Sequence, residues 1–227
     1  MDSRPNINKI PSKNIRTILR LFPYLKDKNL ASKLLIDDES FHYISIREYA
    51  EKISDIITHH LTYFNISKNN GIICDATAGV GGDTISFAKN FHYIYAIEMD
   101  KDRAFYLQNN IQVYELLNVN IINDDCLKVL NKINNHNVIF IDPPWQNSFN
   151  DSYKKYKNLR LTLSDLPIES FCNKLMDESF MKKIPELIVL KLPKNYDIEN
   201  FFNCIKKPIY YYDLNKMIII VIIVKTR

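Results

Sequence analysis

At 227 residues, the chain is long enough for one well-packed domain with an extension and too short for two comfortable ones. Hydrophobic residues make up 46% and charged residues 25%, which excludes a disordered chain. The net charge of +4 is concentrated at the start: residues 1–33 carry eight basic side chains against Asp2 and Asp27, a local +6 that points to a polyanionic partner.

The opening MDSRPNINKIPSKN is polar and charged, unlike a signal peptide, and no apolar run reaches membrane-spanning length. Cys74, Cys126, Cys172 and Cys204 stand far apart, without C-x-x-C or a histidine pair at metal spacing. Such spacing predicts reduced thiols in an intracellular, reducing compartment (cytoplasm, nucleus or a viral replication site) and no metal. Residues 1–40 read as a basic, partly helical N-terminal extension, with a short helix in SKNIRTILRLFPYL, and residues 41–227 as the main domain. The next segment, SIREYAEKISDIITHHL (45–61), places Ile46, Tyr49, Ala50, Ile53, Ile56 and Ile57 on one helical face. Ser45 and Glu48 have the spacing of a capping box at its start.

From residue 72 onward short apolar runs alternate with amphipathic segments. IICDA (72–76), YIYAIE (93–98), VNIIN (119–123), VIFID (138–142) and LIVLK (187–191) suit strands buried on both faces. Between them GDTISFAKN, DKDRAFYLQNNIQVYELL, DCLKVLNKI and LPIESFCNKLM have apolar residues at helical spacing. The alternation predicts an α/β fold, a mostly parallel sheet with helices on both faces. PIYYYDL and MIIIVIIV then read as a C-terminal antiparallel hairpin, giving seven strands in all.

Of four glycines in the chain, Gly79, Gly81 and Gly82 fall in DATAGVGGDT (75–84), between the first strand and its helix. Ligands bind at that place in α/β sheets, because backbone without side chains can approach them closely. A dinucleotide fingerprint needs glycine where Thr84 stands, and the G-K-[ST] of a phosphate-binding loop is absent. The fourth strand stops at DPPW (142–145): Pro143 and Pro144 lack N–H groups and cannot continue a central strand, so nearby carbonyls are left to accept other hydrogen bonds. Beyond it, DSYKKYKNLR (151–160) interleaves Lys154, Lys155, Lys157 and Arg160 with Tyr153 and Tyr156, a mix suited to phosphate contact and base stacking.

The glycine loop resembles the first motif of the Rossmann-like, class I S-adenosylmethionine-dependent methyltransferases, an acid ending strand one followed by D-x-x-x-G-x-G. That resemblance implies S-adenosyl-L-methionine as cofactor, with Glu98 on its ribose and Asp125 near its adenine. DPPW is similar to the [DNS]-P-P-[YFW] motif of methyltransferases that act on exocyclic amines of bases. There the Asp142 carboxylate and Pro143 carbonyl would accept the amine's N–H bonds, and Trp145 would stack on the base.

Four stretches are similar to the trimethylguanosine synthases, the RNA cap guanine-N2 methyltransferases: DATAGVGGDTISFA, YAIEMDKDRAFYLQNNIQVYEL, FHYISIREYAEKI and LKLPKNYDIENF. The similarity runs over residues 40–205 and implies a 7-methylguanosine-capped RNA or cap nucleotide as partner; a monomer with no membrane partner is the accompanying expectation. It assigns Ser45, Asp75, Thr77, Ala78, Gly79, Gly81, Glu98, Met99, Asp125, Cys126 and Asp142 to the cofactor. It assigns Trp145, Lys194 and Asn195 to the cap, with Lys194 standing where the family has an arginine, and the basic segment adds Lys154, Lys155, Lys157 and Arg160 as candidate RNA or triphosphate contacts. The chain departs from the family at Asp142 (usually serine), at Gln146-Asn147 (two glycines) and at Arg47-Glu48-Tyr49 (T-P-E). Methylation of guanine N2 or adenine N6 at internal nucleic-acid positions is the alternative, and a catalytically silent RNA-binding subunit a third reading.

Overall fold

The computed structural model describes residues 15–145 and 153–225. Strands β1 (Ile72–Asp75), β2 (Tyr93–Ile97), β3 (Val119–Ile122), β4 (Val138–Ile141), β7 (Leu187–Pro193), β8 (Ile209–Asp213) and β9 (Met217–Ile223) form one sheet in the order β3-β2-β1-β4-β7-β9-β8. Pairing is parallel from β3 to β7; β9 then runs antiparallel between β7 and β8. Every residue of β1, β4, β7 and β9 is buried, which is why these strands read as apolar runs broken only by Asp75 and Lys191. A small hairpin, β5 (Thr162–Leu163) and β6 (Leu166–Pro167), stands apart from the sheet.

Two apolar clusters cover the two faces. One joins Ile73, Phe140, Val189 and Ile219 to α3 (Arg47–Thr62), α4 (Gly82–Asn90) and α5 (Lys101–Val113) through residues such as Ile53, Phe87 and Leu107. The other joins Cys74, Ile139, Leu190 and Ile220 to α6 (Cys126–Leu130), α7 (Ile168–Leu175) and α8 (Ile198–Cys204). The described part of the N-terminal segment forms α1 (Ile15–Leu21) and packs into the first cluster, where Phe22 and Ile36 are buried. The amide of Asn110 on α5 holds it there, accepting from Leu35 N at 2.8 Å and donating to Leu35 O at 2.8 Å. Asp37 caps the short helix α2 (Asp38–Tyr43), which the sequence reading does not anticipate.

One expectation is corrected here. Helix α3 begins at Arg47 with Ile46 at its cap, and Ser45 makes no capping bond. The Ser45 hydroxyl instead donates to Asp83 Oδ2 at 2.7 Å, and Glu48 pairs with Lys52 one turn on at 2.7 Å. A buried carboxylate claims the hydroxyl, because leaving that carboxylate unpaired costs more than a frayed cap.

Among the described residues, no helix is long and apolar enough to cross a membrane, and no group of three His, Cys, Asp or Glu side chains could hold a metal. All four cysteines are free thiols. Burial pushes Cys74 and Cys172 well above the usual thiol range and Cys126 up to about 11.

Candidate active site

The parallel strands β1, β2 and β4 end on the same edge of the sheet, and the loops leaving them surround a cavity of about 1420 Å³. That is room for more than one small ligand. The cavity wall includes Ser45, Asp75, Thr77, Ala78, Gly79, Glu98, Met99, Asp125, Cys126, Asp142, Pro143, Trp145 and Lys154. The sequence reading thus brings most of its candidates to one place.

Gly79 has φ +53, and a Cβ built there meets no protein atom within 4 Å. Its bare backbone therefore borders the open cavity. Gly81, with φ +101, has a different reason: a Cβ there would lie 2.7 Å from Leu107 Cδ1, so it serves packing of α4 on α5 and is not part of the cavity wall. Glu98 braces the loop from β2. Its Oε2 accepts from Gly79 N at 2.8 Å and its Oε1 from Asp100 N at 2.8 Å, and burial raises its carboxyl above the usual range. Thr77 ties two strand ends together, its hydroxyl accepting from Asp142 N at 2.7 Å. Asp125 caps α6 through Leu127 N at 2.8 Å and accepts from Ser164 Oγ at 2.9 Å. Ser164 and Asp165 form the β5–β6 turn, both at positive φ, as a two-residue type I′ hairpin requires.

Beneath DPPW lies a group that the sequence reading does not single out. Lys191 on β7 is 1% exposed, and its ammonium contacts the Asp142 carboxylate, Ser45 Oγ at 2.7 Å and Asp83 Oδ2 at 3.6 Å. Its Nζ also lies 5.9 Å from the centroid of the Trp145 ring. Burial pushes Asp142 up to about 6, against the pull of Lys191 and with Asp83 adding to the rise. Asp75 is pushed up to about 7, again by burial, while the Thr84 hydroxyl at 2.5 Å opposes it and Asp83 adds to it. Lys191 itself is held above the ordinary lysine value: burial works against the charge, and the Asp142 and Asp83 carboxylates outweigh it. The available signal is a lysine inside LIVLKLP, an otherwise wholly apolar strand.

Other candidates fall outside the cavity wall. Lys194 pairs with Asp213 at 2.8 Å, Arg160 with Asp197 at 3.1 Å, and Asn195 donates to Tyr156 O at 2.7 Å. Lys155 and Lys157 are exposed and also outside the wall. In place of Lys194, Lys216 from the β8–β9 turn reaches the cavity. Gln146 and Asn147, like residues 151 and 152 of the basic segment, lie outside the described residues.

A glycine cradle open to the cavity, an acid at the end of β2 and a strand end reading DPPW define a class I S-adenosylmethionine-dependent methyltransferase. The residues fit that cofactor: Gly79 leaves it space, Glu98 and Asp125 offer acids at two separate loops, and exposed Met99 adds an apolar wall. A model of the RNA cap guanine-N2 methyltransferase family matches residues 70–222, and the chain belongs to that family. It is 37% identical over 229 residues to an uncharacterised protein of Acanthamoeba polyphaga mimivirus, covering 92% of this chain and 86% of the relative. Among solved structures, the fold is similar to precorrin-6y C5,15-methyltransferase from Geobacter metallireducens. That match has a TM-score of 0.51 at 12% identity and covers 78% of this chain and 88% of the other. It is similar as well to the human methyltransferase 10 domain containing protein, at TM-score 0.50 and 13% identity, covering 77% and 79%.

Proposed function

We propose that this methyltransferase acts on the exocyclic N2 amine of a 7-methylguanosine RNA cap. The observation that carries the reading is that Asp142, Pro143 and Trp145 line the same cavity as the glycine cradle. When bound, S-adenosylmethionine supplies an electrophilic sulfonium methyl. An exocyclic amine is a poor nucleophile because its lone pair is delocalised into the ring. The Asp142 carboxylate and the Pro143 carbonyl accept its two N–H bonds, which favours the cationic transition state and fixes the amine's orientation. Glu98 takes the ribose hydroxyls of the cofactor, and Asp125 the adenine amine.

Trp145 stacks on the base. N7 methylation gives guanine a positive charge, and an indole face attracts cations. Lys216 and Lys154 line the cavity and are the cations assigned to the cap phosphates. Lys155, Lys157 and Arg160 lie along the neighbouring segment, where they serve the RNA that follows.

Trp145 is the single tryptophan of the chain, so its fluorescence reports binding directly. 7-Methyl-GTP is expected to quench it and to bind about tenfold more tightly than GTP. Equal affinities would remove the cap assignment. Lys216→Ala should weaken both nucleotides without changing their ratio; an unchanged affinity for both would take Lys216 out of the phosphate site.

A further inference from the structure

We propose that Lys191 is a positioning residue for methyl transfer: its buried ammonium holds one oxygen of the Asp142 carboxylate so that the group faces the acceptor amine in a fixed orientation and ionised. The inference rests on the amine-binding role of Asp142 given above and adds the residue that makes the role workable.

Geometry sets the argument. Lys191 sits in the middle of β7, between the fully buried Leu190 and Leu192, and pairs in register with Ile219 of β9. An ammonium there has lost its water and has to be repaid in hydrogen bonds. It contacts Asp142 from the β4 end, Ser45 ahead of α3 and Asp83 from α4, three separate elements drawn to one point. Ser45 Oγ donates in turn to Asp83 Oδ2 at 2.7 Å, so the ammonium is itself held in place. Both side chains border the cavity, but Asp142 keeps 21% of its side-chain surface exposed and Lys191 only 2%. Lys191 therefore acts through Asp142, not on the substrate.

Electrostatics give it a second task. The charged groups facing Asp142 are Lys191 from β7, Asp83 from α4 and Asp75 from β1, with the Trp145 indole beside it. One cation among three carboxyls, with a smaller contribution from the Trp145 indole, opposes protonation of Asp142. A protonated Asp142 would keep fewer lone pairs for the amine and would carry no charge to favour the cationic transition state.

The test has an arm independent of transfer. In protein labelled with ¹³C at aspartate carboxyls, without substrate, Lys191→Met is expected to move the Asp142 titration to higher pH by about one unit or more. An unmoved titration would overturn the proposal whatever the enzyme's acceptor proves to be.

In transfer assays on 7-methyl-GTP, the same variant should bind S-adenosylmethionine within about threefold of wild type and lose at least about 30-fold in kcat at pH 7. The acid limb of its pH profile should shift upward. A fall in kcat with the limb unmoved would mark a merely structural lysine. If wild type itself leaves 7-methyl-GTP unmethylated, the substrate reading fails and the titration still decides the role of Lys191.

Should Lys191→Met not fold, Asp142→Asn and the double variant Asp142→Asn/Lys191→Met replace it, since the double variant removes both partners of the Lys191–Asp142 pair together. Adding Lys191→Met to Asp142→Asn should change kcat by less than about twofold, because the lysine then has no carboxylate at the acceptor amine to orient. A further tenfold drop would show that it acts elsewhere.

Discussion

Replacing Gly79 with valine is expected to abolish S-adenosylmethionine binding while leaving a folded protein. The position has φ +53, which a β-branched residue adopts only with strain of about 1–3 kcal/mol. The new Cβ would meet no protein atom within 4 Å, so little more is lost from packing. The added methyls would enter the space the cofactor needs, and calorimetry should show affinity down at least about 100-fold. Gly81→Ala is the contrast. Its Cβ would strike Leu107, so the cost falls on stability and appears as a lower melting temperature. Wild-type affinity in Gly79→Val would remove the cradle from the cofactor site.

The second large effect is expected at Asp142. Truncation to alanine strands the Lys191 ammonium, and breaking a buried pair costs about 3–5 kcal/mol. Here Asp83, 3.6 Å from the ammonium, and Ser45, at 2.7 Å, remain as partners, so the cost should fall at the lower end, about 3 kcal/mol. Methyl transfer should fall further, by roughly 10²–10³-fold, since one of two acceptors for the amine is gone. Denaturant melts and transfer assays on one preparation separate the two losses. A stable, active Asp142→Ala protein would contradict both roles.

These effects differ in how far the sequence announces them. The sheet was readable because its central strands are buried on both faces, so VIFI and MIIIVII appear as uninterrupted apolar runs and IICD is apolar up to its final acid. The cradle was readable because glycine is otherwise almost absent from the chain. DPPW was readable because two prolines end a strand abruptly.

What stayed hidden depends on distant partners. Ser45 has the spacing of a helix cap, and its hydroxyl is claimed by groups 38 and 146 residues away. Lys191 reads as the polar end of a strand, LIVLK, when β7 in fact continues through it to Pro193. The β5–β6 hairpin that reaches Asp125 has two-residue strands and a Ser-Asp turn in place of the usual Asn-Gly, too weak a pattern to register. Lys194 looked like a phosphate contact by its place in LPKN, and Asp213, which pairs with it, belongs to an edge strand met only at the end of the chain.

The departure at Asp142 also acquires a physical sense. A carboxylate at that buried strand end needs a cation, and Lys191 supplies one from β7. The two residues are best treated as one unit when the chain is compared with relatives that carry serine before the prolines.

The substrate is decided by a single comparison: transfer of the labelled methyl of S-adenosylmethionine to the same short RNA carrying either a 7-methylguanosine cap or an unmethylated guanosine cap. Label should enter the 7-methylated RNA, on the cap guanine at N2, and the unmethylated cap should be a markedly poorer acceptor. Label found at internal adenines or guanines of either RNA, with the cap unmodified, would contradict the cap assignment.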